Sequence, residues 1–174
     1  MGAIIEIMEL HNLEPSALEQ LSDLLVRIVE GGASIGFLSP LEFGEAATYW
    51  KQVIGRGVKL WIATRDDQVL GTVQLHLAGK KNASHRAEVA KLMVHPDHRR
   101  SGVARLLMKT LEEAAREEGR FLLVLDTREG DSSNDLYKSL GYIEAGRIPE
   151  FAQSAGGTLD TTVLYYKKLK YGKN

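Results

Sequence analysis

The chain contains no cysteine. That removes disulfides, thiolate metal sites and any route in which a cysteine carries an acyl group, so acyl chemistry here must use another nucleophile or none. An excess of either charge is missing too. The 22 Lys and Arg residues face 23 Asp and Glu, for a formal charge of -1, and no global basic field exists to gather phosphate backbones. Nucleic acid is not an expected partner. No apolar run approaches the roughly 20 residues that span a bilayer. The start, Met1 to Met8, has no basic region and carries Glu6 inside a short apolar stretch, unlike a secretory signal. A cytoplasmic protein with no membrane partner is expected. What remains is an ordinary globular composition: 174 residues, 44% hydrophobic and 26% charged. A chain of this size buries roughly 70% of its unfolded surface in a self-sufficient core. One domain spanning 1–174 follows.

Periodicity supplies the elements. Ala3 to Met8 reads as a short strand. Leu18, Leu21, Leu25, Ile28 and Val29 recur at helical spacing, with Pro15 near the start and Gly31-Gly32 at the end. Ser39-Pro40-Leu41-Glu42 reads as a capping box, Ser39 accepting from the Glu42 N–H, for a second helix running to about Ile54. Three strands follow, Lys59–Arg65, Val69–Leu77 and Arg86–Val94, as an antiparallel meander. Beyond Pro96 and a basic turn, Val103, Leu106, Leu107, Leu111, Ala114 and Ala115 form one apolar stripe ended by Gly119. Phe121–Leu125 is a near-continuous apolar run, which predicts a strand with a parallel neighbour. A short helix over Ser132–Leu140 stops at Gly141. Two strands near Tyr142–Arg147 and Thr161–Leu169 close the chain, joined by a loop containing Gly156-Gly157. The order βααβββαβαββ predicts one mixed α/β domain, without repeats or linkers.

The most informative segment is Lys91 to Ala104, a strand leading through a basic turn directly into a helix. A helix start leaves N–H groups unpaired and carries the positive end of the helix dipole, while Gly102 and small Ala104 let phosphates approach the backbone. Arg99 and Arg100 add guanidinium groups able to pair two phosphate oxygens at once. A Gly-Lys-Ser/Thr ending is missing, so this is no Walker loop, and a dinucleotide fingerprint would need three glycines. A solvated basic turn is the alternative for a lone glycine.

Arg99-x-x-Gly102-x-Ala104 after an apolar strand resembles the acetyl-CoA signature of the GNAT superfamily of N-acetyltransferases. Leu136-Tyr137-Lys138-Ser139-Leu140-Gly141-Tyr142 is similar to that family's Leu/Phe-Tyr-x-x-x-Gly-Phe/Tyr helix. The segments Gly31–Phe37, Arg86–Val89 and Leu125–Thr127 resemble tabtoxin-resistance-type acetyltransferases within it. The resemblance implies a central mixed, mostly antiparallel sheet with two splayed parallel strands, flanked by helices. It implies acetyl-CoA as cosubstrate and no metal. The turn Arg99, Arg100, Ser101, Gly102, Val103 and Ala104 would hold the pyrophosphate. The backbone of Leu92, Met93 and Val94 would pair with the pantetheine, and an N–H of Met93 or Val94 would bond the thioester oxygen. Many members carry Asn seven residues before the helix tyrosine, where this chain has Gly130. Asp131, Ser132 or Asn134 are the available substitutes, and Lys138 lies beside the same site.

Tyr137 matches the tyrosine that faces the thioester sulfur in the family, where a phenol of pKa near 10 can protonate a departing thiolate. Its alternative is a packing tyrosine. An alkylamine must lose a proton before it attacks, and Glu88 and Asp126 are the carboxylates that can accept it or bind the ammonium. Otherwise Glu88 lies on a solvated face and Asp126 caps a turn. His85, His95 and His98 lack helical metal-ligand spacing and suit surface or phosphate-facing roles. Trp50 and Trp61 suit a core or pocket wall. The reading is direct transfer from acetyl-CoA to the amine of a small molecule by a monomer or homodimer. An acetyl-CoA-binding regulatory module, or an enzyme acting on protein N-termini or lysines, are the rivals.

Overall fold

The computed structural model describes residues 4–55 and 57–170. Its elements follow the expected order: β1 (Glu6–Leu10), α1 (Pro15–Glu30), α2 (Phe43–Val53), β2 (Val58–Arg65), β3 (Gln68–Leu77), β4 (Arg86–Val94), α3 (Val103–Glu117), β5 (Leu122–Arg128), α4 (Ser133–Ser139), β6 (Ile143–Gln153) and β7 (Leu159–Lys168). The strands form one sheet of order β1-β2-β3-β4-β5-β7-β6. Only β4 and β5 run parallel, and every other neighbouring pair is antiparallel. Expected strand ends shift by one to three residues, apart from the end of β6. The expected start of β1, Ala3, lies outside the described residues.

Two apolar clusters cover the two faces of the sheet. Leu107, Met108, Leu111 and Ala115 of α3 pack on Val73, Leu75, Ala87, Val89, Leu123 and Leu125. On the opposite face, Leu21, Leu25 and Ile28 of α1 and Trp50 of α2 pack on Leu60 and Ile62. Trp50 is fully buried and its indole N–H donates to the Leu21 carbonyl at 2.9 Å, and Trp61 is also core. The apolar stripe of α3 thus faces the core as its spacing requires.

Close approach of α3 to the sheet depends on Gly71 in β3. A Cβ there would lie 2.7 Å from the Met93 carbonyl oxygen and 3.1 Å from Val103 Cγ1. The first contact is with backbone and cannot swing aside. Gly71→Ala is therefore expected to destabilise the fold by about 1–3 kcal/mol, the usual range for overpacking. Thermal unfolding would register this as a fall of several degrees. An unchanged midpoint would mean that β4 and α3 yield at little cost.

Two expectations are corrected. Ser39 does not cap α2, which begins at Phe43 after an extended Glu42 without a side-chain cap. The carboxylate of Glu30, at the end of α1, accepts from the Ser39 hydroxyl at 2.9 Å and from the Leu41 N–H at 3.2 Å, so the capping groups serve the α1–α2 loop instead. The segment expected as a loop between the last two strands is mostly hairpin. β6 continues through Pro149 to Gln153, and only residues 154–158 turn, closed by the Ser154 N–H on the Thr158 carbonyl at 2.8 Å. Proline is tolerated because β6 is an edge strand, and a register shift between Ile148 and Ala152 absorbs it. Among the described residues, no helix is long and apolar enough to cross a membrane.

Candidate active site

The parallel pair opens. β4 and β5 pair only at Arg86↔Leu122, Ala87↔Leu123 and Glu88↔Val124, and beyond Glu88 the strands part. The His95 N–H donates to Leu70 of β3 at 2.8 Å. Ladder alternation then turns the neighbouring Val94 N–H the other way, into the gap that β5 vacates. A cavity of about 890 Å³ runs through this gap. Its one end lies at the start of α3, its floor at Leu92–Val94, and its far end between the loop 31–36 and the β6–β7 hairpin at Phe151 and Ala152.

At the α3 end, Gly102 precedes the helix with φ 84, a conformation that favours glycine, and no side chain caps the helix. A Cβ on Gly102 would meet nothing within 4 Å, so the space above this backbone is open. Arg99, Arg100, Val103 and Ala104 border the same space, as does His98. Ser101 does not border the cavity, and its hydroxyl is spent on the His98 carbonyl. Ser132 borders the cavity. Asp131 does too, with its carboxylate held by Arg128 at 2.8 Å. Asn134 is turned into the protein: its amide donates to the carbonyls of Arg128 and Asp131, both at 2.9 Å, and its oxygen accepts from Tyr165 at 2.8 Å. Asn134 thus fixes the β5–α4 turn, and exposed Lys138 is also outside the cavity.

Tyr137 borders the cavity while its ring is buried against Tyr142 and Tyr165, at centroid distances of 5.8 and 6.1 Å. Burial, with a contribution from the nearby Asp126 charge, pushes its phenol well above the ordinary value. Glu88 and Asp126 stand on the α1/α2 face, since their neighbours Ala87, Val89 and Leu125 belong to the α3-side core. Asp126 accepts from the buried Thr162 hydroxyl at 2.8 Å, which fixes one carboxylate oxygen. Glu88 borders both the main cavity and a smaller one that it shares with His76. Burial lowers the His76 pKa, partly opposed by the Glu88 charge. His95 accepts from the Asp97 N–H through its ring, and among the described residues no three His, Cys, Asp or Glu cluster to hold a metal.

Residues 19–142 match the model of the acetyltransferase (GNAT) family. The chain belongs to that family. Human N-acetyltransferase 8 is 32% identical over 94 residues, covering 53% of this chain and 41% of its own, so the chain spans less than half of that relative. A Salmonella typhimurium structure solved with its cofactor acetyl-CoA superposes with a TM-score of 0.79 at 16% identity, over 98% of this chain and 96% of the other. An aminoglycoside 6'-N-acetyltransferase complexed with coenzyme A superposes with a TM-score of 0.77 at 17% identity, over 97% and 99%. The mixed sheet with its splayed parallel pair is the GNAT fold.

Sequence reading missed three residues that shape this GNAT site. Arg128, at the end of β5, donates to the Gly32 carbonyl at 3.0 Å and faces Asp131 and Asp160, tying the α1–α2 loop to the sheet. Thr162 positions Asp126. Lys91 enters the cavity from β4. A basic residue at a strand end and a threonine on the last strand carry no local signal, because their partners are distant in sequence.

Proposed function

We propose that this chain, acting as one domain, transfers the acetyl group of acetyl-CoA to the primary amine of a small molecule by direct attack in a ternary complex. The observation that carries this reading is the continuous cavity that begins at the open Gly102 turn, passes through the β4–β5 gap and ends between the α1–α2 loop and the β6–β7 hairpin. The neighbours solved with acetyl-CoA and coenzyme A support the same cosubstrate. The loop and hairpin around the recess suit a small acceptor better than a protein surface. The loop also carries the residues Gly31–Phe37 on which the resemblance to tabtoxin-resistance-type enzymes rests.

The residues fit the cosubstrate. Unpaired N–H groups at Gly102–Ala104 and the side chains of Arg99 and Arg100 receive a diphosphate, and glycine keeps the approach clear. The Val94 N–H, aimed into the gap, holds the thioester oxygen and stabilises negative charge there. Asp126, steadied by Thr162, binds the acceptor ammonium. Glu88 takes the proton, directly or through water, toward the second cavity beside His76. Tyr137 donates a proton to the departing thiolate.

Thiol release from acetyl-CoA, measured with small amines and with peptides, tests the reading. Small amines are expected to be acetylated and peptides not. Glu88→Gln should lower turnover and alter the acidic limb of its pH profile, because the amide keeps the shape but cannot accept a proton. Asp126→Asn should raise the acceptor KM more than it lowers turnover. A normal rate and profile for Glu88→Gln, with both lost in Asp126→Asn, would reverse the two roles. Activity confined to peptides would overturn the choice of acceptor.

A further inference from the structure

Lys91 has no task in the transfer described above, yet the fold goes to some length to seat it. Strand alternation would turn Lys91 toward α3 beside Ala87 and Val89. A bulge prevents this: the β3–β4 register jumps from Gln74↔Ala90 to Thr72↔Met93, and Lys91 takes φ 53, which an ordinary side chain seldom adopts. Its ammonium consequently reaches the α1–α2 loop on the recess side. Nζ lies 5.9 Å from the centroid of the Phe37 ring, within reach of a cation–π contact.

The loop is shaped around that ammonium. A Cβ on Gly36 would stand 3.2 Å from Lys91 Nζ, and Gly36 has φ 90, so the loop presents bare backbone where the cation sits. Phe37 is braced edge-on by Tyr49 at 5.1 Å, and the Tyr49 hydroxyl accepts from Gln74 at 2.9 Å. The Lys91 seat is therefore built by three elements.

What this seat lacks is a counter-ion. Glu88 and Asp126 are near enough to act on Lys91 electrostatically, yet among the described residues no carboxylate forms an ion pair with it. Burial pulls its pKa below the ordinary lysine value against the pull of both acids. A partly desolvated ammonium held without a contact counter-ion is unfavourable, and an anion delivered by a ligand would remove that cost.

We propose that Lys91 receives an anionic group of the acceptor, and that the preferred substrate is a small amino-acid-like molecule whose amine and carboxylate lie a few bonds apart. This inference rests on the small-amine reading above. The recess then presents two carboxylates to the ammonium end and one ammonium to the carboxylate end, the complement of a zwitterion. A simple monoamine leaves Lys91 unpaired. A polyamine or aminoglycoside brings a second cation against it, and a protein lysine side chain offers no carboxylate there.

The test uses the full chain and matched sets of acceptors: amino acids, their carboxamides and their decarboxylated amines, assayed by thiol release from acetyl-CoA. The wild-type protein is expected to prefer the amino acid of a productive set at least tenfold in kcat/KM over both neutral counterparts. The carboxamide has the more readily deprotonated amine, so amine reactivity alone would favour the wrong member. Lys91→Met keeps the stem and removes the charge. It should reduce the preference to within about twofold, chiefly through a higher KM for the amino acid. The KM for acetyl-CoA should not change, and the KM for the decarboxylated amine, which has no carboxylate for Lys91 to receive, should not rise. A wild-type protein that acetylates small amines without preferring the carboxylate, or a preference that survives in Lys91→Met, overturns the role of Lys91 and leaves the small-amine reading standing. Acetylation of peptides alone overturns both.

Discussion

Replacing Gly102 with glutamate is expected to abolish acetyl-CoA binding while leaving the fold intact. The space above this backbone is open, with nothing within 4 Å of the point where a Cβ on Gly102 would stand, so a longer side chain has room but enters the volume that a diphosphate needs. Three effects then add. The left-handed φ of 84 strains any residue with a Cβ. The glutamate carboxylate itself satisfies the N–H groups at the start of α3 and neutralises the favourable end of its dipole. It also repels phosphate and engages Arg99 or Arg100 in its place. The first effect costs about 1 kcal/mol or more, and the other two act directly on the anion. Calorimetric titration with acetyl-CoA should show no detectable heat for Gly102→Glu, with circular dichroism unchanged. Gly102→Ala separates strain from charge, and only a modest weakening is expected of it. Wild-type affinity in a folded Gly102→Glu protein would remove the pyrophosphate from this turn.

The turn was legible in the sequence because it depends on local chemistry: a glycine where φ must be positive, a small residue beside it and arginines at the entrance. The same holds for the α3 stripe, whose spacing specified the buried face, and for β5, whose continuous apolar run announced a parallel neighbour. Features that failed to show depend on partners brought together by the fold. Ser39 had the spacing of a cap, but the Glu30 carboxylate, nine residues back, captured both the hydroxyl and the Leu41 N–H. Asn134 had the composition of a pantetheine ligand, yet two carbonyls of the β5–α4 turn take both of its amide hydrogens and Tyr165 donates to its oxygen. Lys91 falls within the expected strand Arg86–Val94, and no sequence pattern marks the bulge that turns it into the recess. Arg128 gains its meaning from Gly32, which is 96 positions away in the chain. Local backbone requirements are written in the sequence, whereas the charge complement of the recess is set by long-range placement.

Tyr137→Phe is expected to lower turnover by about 10²- to 10⁴-fold, the usual loss on removing a general acid, while acetyl-CoA affinity changes little. The phenylalanine keeps the ring contacts with Tyr142 and Tyr165, so packing and the wall of the cavity survive. Only the hydroxyl is removed. Its proton is held firmly, because burial and the Asp126 charge both raise the phenol pKa. A tyrosine in that state cannot serve as a resting base and stays protonated at every pH below its ordinary value of 10.0; the same shift weakens it as an acid, so it acts by sharing its proton as negative charge builds on the sulfur. The leaving thiolate is the group in the proposed reaction that requires a proton. The ratio of wild-type to variant turnover should therefore stay constant with pH up to that value, whereas the loss caused by Glu88→Gln should vary along the acidic limb. Single-turnover rates make the comparison clean, since product release then cannot hide the chemical step. Retention of half or more of the wild-type single-turnover rate would make Tyr137 a packing residue. Protonation of the thiolate would then fall to water in the β4–β5 gap, and the burial of this phenol would serve only the aromatic cluster beneath α4.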